Sequence, residues 1–169
     1  MKDGSLYTGM YSNGLPHCLG KLSFKNGDSY DGEFVEGQRT GHGVFVSAKG
    51  GSRYSGEFLN NRRHGVGRLD YAEGGYYEGE WSEDHWNGHG KNSMRDKSLY
   101  VGQLCQGNRH GKGTLNLSNG NTYDGVFCHG RMEGQGRMVF ASGNTFTGSF
   151  LNDKPHGQGR LDFTDGGHC

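Results

Sequence analysis

Residues 62–81 read RRHGVGRLDYAEGGYYEGEW, a stretch in which glycine alternates with aromatic and basic side chains. A G-x-G beside arginine suits a phosphate-binding loop, a nucleic-acid platform, or the spelling of a repeated structural unit. Recurrence decides among them. YTGMY begins at 7, YDGEF at 30, YSGEF at 54, YEGEW at 77, YVGQL at 100, YDGVF at 123 and FTGSF at 146, at steps of 23 residues and once 24. The chain is therefore a tandem array, and the quoted stretch runs from the end of one copy into the start of the next.

With the leading aromatic as offset 0, Gly recurs at offset 2, an aromatic or Leu at 4, Gly usually at 7 and 11 and always at 13, apolar residues often at 15 and 17, and Gly usually at 20. Offsets 0, 2 and 4 have the period of a strand, so Tyr54, Gly56 and Phe58 share one face and Ser55 and Glu57 the other. Offsets 13, 15 and 17 repeat the pattern in Gly113, Leu115 and Leu117. Each copy is thus a two-stranded hairpin. SNGN at 118, KNGD at 25, EGG at 73, SGN at 142 and DGG at 165 supply positive-φ residues for tight turns. These turns are expected between copies, with a looser loop carrying a G-x-x-H-G theme, whole in GNRHG at 107, inside each copy. Parity places every apolar offset on one face if 4 lies opposite 13, 2 opposite 15 and 0 opposite 17, which sets Glu57 against Arg68 and Glu80 against Lys91. The glycines at 2 and 13 then leave room for the rings.

The expected fold is all-β: an elongated single-layer antiparallel meander of tandem two-stranded hairpins, about fourteen strands at ~4.8 Å spacing, roughly 65 Å long. One array spans residues 1–169, with part of a preceding copy's turn at 1–6. The second copy carries an extra residue near VSAKGGSRY and Ser47 at offset 17, so a bulge or wider turn is expected there. In the fourth, Asp84, Asn92 and Lys97 break the pattern, and its hairpin should be the most irregular. Trp86 falls in that copy's loop, as a cap over the sheet or as a partner contact.

Composition limits the function classes. Only 30% of the residues are apolar and 34 are Gly, which suits a thin sheet rather than a thick core, while 12% aromatics at ordered spacing argue against disorder. Eighteen basic residues balance eighteen acidic ones, so no long-range field favours nucleic acid, and no nucleic-acid partner is expected. No run approaches the ~20 apolar residues of a membrane span. The start lacks an apolar leader, and the chain reads as soluble and cytoplasmic. A G-x-G that recurs in strands and never opens a helix is not a nucleotide site. No nucleophile, base and orienting acid recur together, so catalytic residues and cofactors are both read as none and the chain as not an enzyme.

Four cysteines lack C-x-x-C spacing. Cys105 and Cys128 sit one copy apart, beyond disulfide reach. The neighbours His17–Cys18, Cys128–His129 and His168–Cys169 point to opposite faces of a strand, so no metal site is assigned. His17, His64, His110 and His156, all at offset 10, read as loop-ordering residues.

YSGEFLNNRRHGVGRLDYAEGG and YVGQLCQGNRHGKGTLNLSNGNT, the strongest copies, resemble the MORN repeat, and the resemblance covers essentially the whole chain. It implies a β-hairpin array acting as a scaffold, cytoskeleton- or membrane-associated, as at cilia, membrane junctions and the cell cortex. The leading expectation is a protein partner, a peptide or helix, bound in an aromatic groove formed by Tyr30, Phe34, Tyr54, Phe58, Tyr77, Trp81, Trp86, Tyr100, Tyr123 and Phe127. A first alternative is weak contact with anionic phospholipid headgroups through Arg39, Arg62, Arg63, Arg109, Arg131 and Lys154. A second is a homodimer formed through the terminal strand edges.

Overall fold

The structure, a computed structural model, describes residues 4–164. The turn at 165–167 and the His168–Cys169 pair lie outside the described residues. Two compact units emerge, Met1–His85 and Trp86–Cys169. The first holds β1 (Leu6–Ser12), β2 (Leu15–Ser23), β3 (Ser29–Val35), β4 (Gln38–Val46), β5 (Arg53–Leu59), β6 (Arg62–Asp70) and β7 (Tyr76–Ser82). The second holds β8 (His85–Ser93) from Trp86 onward, then β9 (Leu99–Cys105), β10 (Asn108–Asn116), β11 (Thr122–Cys128), β12 (Arg131–Val139), β13 (Thr145–Leu151) and β14 (Lys154–Asp162). Within each unit the strands pair antiparallel in chain order, as a single-layer meander of hairpins. The all-β expectation holds.

The connections are the reverse of those expected. Inside a copy, two left-handed residues suffice: Asn13 and Gly14, Asn60 and Asn61, or Gln106 and Gly107, as in a type I′ turn whose twist matches its strands. Between copies the connection is longer, five residues at 24–28 and 71–75 and six at 47–52, where the extra residue of the second copy is absorbed as a wider turn. The turns of the fourth copy keep the backbone of the others. Glu83 and Asp84 take left-handed φ values of 48° and 69°, and Lys97, at 70°, adopts the conformation of the glycine it replaces. The offset-10 histidines therefore lie on strands rather than in loops.

The register also differs from expectation, by two residues. Tyr54 faces Leu69 and Gly56 faces Gly67, so offset 0 opposes 15 and offset 2 opposes 13. Arg68 consequently faces Ser55 and, in the next copy, Glu78, while Glu80 faces Val66 and Lys91 pairs with Val101. Beyond the glycine pair a bulge brings Phe58 opposite Arg63. Its left-handed residue is offset 11, as at Gly65 with φ 56°. Glu57 is consumed there, its Oε1 accepting the Val66 N–H at 2.9 Å. Glu33 does the same for His42 at 2.8 Å, and Gln103 for Lys112 at 2.8 Å. Because an amide serves as well as a carboxylate, Glu57→Gln should leave the melting temperature nearly unchanged. Glu57→Ala, which removes the acceptor, should cost about 1 kcal/mol; equal melting of both variants would show that the bulge does not need this bond.

The core is a ladder of rings on one face. Tyr30, Tyr77, Tyr100 and Tyr123 are fully covered and Tyr54 is 1% exposed. Each hydroxyl reaches forward along its own strand and donates to the carbonyl of offset 3: Tyr30 to Glu33 at 3.0 Å, Tyr54 to Glu57 at 2.9 Å, Tyr77 to Glu80 at 2.8 Å, Tyr100 to Gln103 at 2.6 Å. That path carries the ring directly over the facing pair of glycines. A Cβ on Gly43 would fall 2.5 Å from Tyr30 Cζ and one on Gly113 2.6 Å from Tyr100 Cε2. Offset 4 then meets two tyrosines edge to face, as Phe58 does with Tyr54 at 5.1 Å and Tyr30 at 5.0 Å, the arrangement the ring quadrupole favours.

Candidate functional site

On the aromatic face of the first unit lies a groove of about 480 Å³, lined by Arg39, Phe45, Ser47, Ser52, Tyr54, Phe58, Asn61, Arg63, Leu69 and Asp84. Its origin is local. Offset 17 carries Phe24 in the first copy and Tyr71 in the third, but Ser47 in the second, so a row of large side chains is interrupted by a small one. Phe45 and Leu69, both half-buried, form the apolar floor.

The predicted ring set splits by burial. Tyr30, Phe34, Tyr54, Phe58, Tyr77, Trp81, Tyr100, Tyr123 and Phe127 are each at most 5% exposed. They are the interior of the sheet's apolar layer, and only Tyr54 and Phe58 reach the groove wall. Strand parity reveals the face of a ring. It does not show how much of that ring its neighbours cover. Trp86 lies on β8, not in a loop, and occupies offset 9, the row that holds Arg39 and Arg63 in the first unit; it is half-buried.

The basic residues divide into two rows, because the two-residue turn starts the second strand at offset 8. Arg39, Arg63 and Arg109, at offset 9, lie face-on to the rings. Arg39 Cζ is 5.5–5.7 Å from the centroids of Phe24, Tyr30, Phe45 and Phe58, and Arg63 Cζ is 4.4 Å from Trp81. Such contacts contribute about 0.5–2 kcal/mol. Arg109 covers Tyr100 at 5.9 Å and Phe127 at 5.4 Å. Arg62, Arg131 and Lys154, at offset 8, are exposed, with Arg62 Nη1 donating to Glu83 Oε2 at 2.8 Å and Arg131 Nη1 to Asn152 Oδ1 at 2.5 Å. Within a copy, side chains at offsets 8 and 9 point to opposite faces of the strand.

Turn residues tie the arginines down. Where offset 7 is not glycine, its side chain reaches the preceding copy: Asp84 Oδ1 accepts from the Arg63 backbone N–H and from Nε, both at 3.0 Å, and Nη2 donates to the Asp84 carbonyl at 3.1 Å. Arg39 is held by Asn61 instead, its Nη2 donating to the carbonyl at 2.7 Å and its backbone N–H to Oδ1 at 3.0 Å. Among the described residues no carboxylate lies within ion-pair distance of Arg39. Burial pulls its guanidinium below the ordinary arginine value, although an arginine remains charged.

The opposite face is different. A depression of about 470 Å³ there is lined by His42, Val44, Ser55, Val66, Arg68 and Glu78 among others. Its charges neutralise each other, Arg68 donating to Glu78 at 3.3 Å and to Asp70 at 2.9 Å. The described cysteines, Cys18, Cys105 and Cys128, are free thiols.

Burial also acts on the phenols. Desolvation pushes Tyr30, Tyr71 and Tyr100 up to about 12 from an ordinary 10.0, and raises Tyr54 and Tyr77 as well. In the unfolded chain these groups ionise near 10, so their contribution to stability is complete below that pH and is lost as pH climbs toward the folded value. Unfolding should therefore set in between pH 10 and about 12, with tyrosinate absorbance and loss of sheet circular dichroism rising together. Tyrosinate appearing in an intact sheet near pH 10 would contradict the burial of these hydroxyls.

Comparison with known proteins agrees with the repeat structure. A family model described as the MORN repeat matches residues 7–29, 30–52, 54–76, 77–91, 100–122, 123–145 and 146–168; the fourth match is the short one and stops just before Asn92. No curated protein matches the chain significantly. Among solved structures, the wild-type TCP10 domain of Danio rerio CPAP in complex with a peptide of Danio rerio STIL is 13% identical, with a TM-score of 0.53 over 89% of this chain and 66% of that one. The SAS-4 (dCPAP) TCP domain of Drosophila melanogaster, in complex with a proline-rich motif of Ana2, is 12% identical with a TM-score of 0.54, covering 89% of this chain and 81% of that one. At such identities the likeness is one of fold. This chain spans just under two thirds of the first of these domains.

Proposed function

The chain belongs to the MORN-repeat family, and from that premise we propose that it is a non-catalytic scaffold that binds an extended segment of a partner protein along the aromatic face of its first unit, within a cytoskeletal assembly. The observation that carries this reading is the groove. It combines half-exposed apolar side chains, Phe45 and Leu69, with a rim of hydrogen-bonding groups on a rigid sheet. An extended segment suits such a surface, because its alternate side chains can enter pockets while its backbone meets polar groups at the rim. The fully covered rings beneath supply stiffness, so little ordering is needed when a partner arrives. That two domains of the same fold carry peptides of STIL and Ana2 supports the choice of a protein segment over other ligands.

The test compares the two faces. Immobilised full chain should retain partner proteins from a native extract, and Phe45→Glu, which places a charge in the groove floor, should abolish that capture. Val66→Glu, at a position 60% exposed on the reverse face, should not. Thermal melting of each variant establishes that it is folded. Capture lost with Val66→Glu and kept with a folded Phe45→Glu would put the partner on the charged face and end this proposal.

A further inference from the structure

Resting on the scaffold reading, the groove also specifies the chemistry of its occupant. Three charged side chains line it, Arg39, Arg63 and Asp84. Arg63 and Asp84 satisfy each other through a direct pair at 3.0 Å. Arg39 has no such direct pair, and Asp84 acts on it only through space, from beyond ion-pair distance. Its hydrogen bonds go to the neutral amide and carbonyl of Asn61, through Nε at 3.5 Å and Nη2 at 2.7 Å, and its Nη1 donates to no group among the described residues. The guanidinium is half-buried, clasped by four rings and short of solvent. A half-buried cation without a directly paired carboxylate favours any ligand that brings one, and arginine receives a carboxylate through two parallel N–H groups.

Beside it, Ser47 opens the gap in the offset-17 row, and the adjoining floor is Phe45 and Leu69. An apolar side chain of the size of Phe24 or Tyr71, the residues that fill this row in the neighbouring copies, would complete it. We propose that the groove selects a partner segment bearing an aspartate or glutamate that pairs with Arg39, next to a large apolar residue that fills the space over Ser47. Charge complementarity is the argument for this occupant. The reverse-face depression, where Arg68 is already neutralised by Glu78 and Asp70, makes no such demand.

The experiment uses the full chain and a displayed library of random twelve-residue peptides. Recovered sequences should share an acidic residue beside Phe, Leu, Tyr or Trp. Resynthesis of the best binder with its acid changed to the amide should weaken binding about tenfold, the loss of one charge-assisted hydrogen bond in a desolvated site. Arg39→Gln should erase the difference between the two peptides. Arg109→Gln, at the same row position in the second unit where Leu117 fills offset 17, should preserve it. Ser47→Phe should abolish binding without lowering the melting temperature. Because the peptide carries the decisive change, the result stands even if Arg39→Gln fails to fold. Binders with no acidic preference, or binding indifferent to Ser47→Phe, refute this occupant while leaving extract capture and the scaffold reading in place; loss of both peptide binding and Phe45-sensitive capture removes the two together.

Discussion

Gly67→Ala is expected to destabilise the first unit by about 3 kcal/mol, the upper part of the range for overpacking a core. The added methyl would fall 2.5 Å from Tyr54 Cζ and 2.6 Å from Cε2. The obstacle is steric, since Gly67 is not in the left-handed region that excludes other residues. Tyr54 cannot swing aside, being 1% exposed, edge to face with Phe58 at 5.1 Å and Trp81 at 5.2 Å, and anchored by its hydroxyl to the Glu57 carbonyl. Sliding the backbone is no easier, because Gly67 faces Gly56 on one side and Gly79 on the other, in a row that every copy continues. For a domain of ordinary stability, roughly 5–15 kcal/mol, that is a large fraction. Tyr54→Leu, which shortens the obstructing ring, should make the second change cheaper, so a double-mutant cycle should show a coupling of about 1 kcal/mol or more. Urea denaturation giving Gly67→Ala the parent midpoint would mean that the ring does not need this space.

Removing Trp81 should do more. Its side chain is 3% exposed, meets Tyr54 and Tyr77 at 5.2 and 5.1 Å, lies under the Arg63 guanidinium at 4.4 Å, and donates its indole N–H to the Gly67 carbonyl at 3.0 Å. Trp81→Ala should therefore cost about 4 kcal/mol, the sum of lost burial and the cavity left behind. It should also loosen Arg63 and hence the groove wall. Phenylalanine occupies the same offset at 34, 58, 127 and 150 and makes the same edge-to-face contacts there. Trp81→Phe should accordingly keep the ladder and lose mainly the indole hydrogen bond, about 1 kcal/mol. If the alanine and phenylalanine variants melt alike, the tryptophan is not the keystone of its ring cluster.

The same packing separates what periodicity reveals from what it hides. Tyr54, Phe58, Arg39 and Arg63 could be named from periodicity, since each recurs at a constant offset. That Tyr54 is interior while Phe45 is half-open could not, because cover is supplied by strands of the adjoining copies. Arg39 and Arg63, two copies of one offset, read as cations of one kind. They separate only when Asp84, from the following turn, is seen to pair directly with one, while the other bonds to the neutral groups of Asn61. The small side chain at Ser47 was legible as a departure from its row, and its consequence, a groove, needed the large neighbours on either side of it.

Sequence alone determined the array, its period, the strand character of both halves of each copy, and the shared face of the rings, because a two-residue alternation survives in the order of residues without any knowledge of contacts. Tertiary structure decided the register, the place of the tight turns and the burial of each ring. A slip of two residues leaves every side chain on its face, so parity could not distinguish Tyr54 opposite Leu69 from Tyr54 opposite Tyr71. Turn-forming Asn, Asp and Gly stand at both ends of every hairpin, so turn chemistry could not choose between them either. What chose was the tyrosine ring, which reaches forward over a facing pair of glycines and fits only where both lack a side chain.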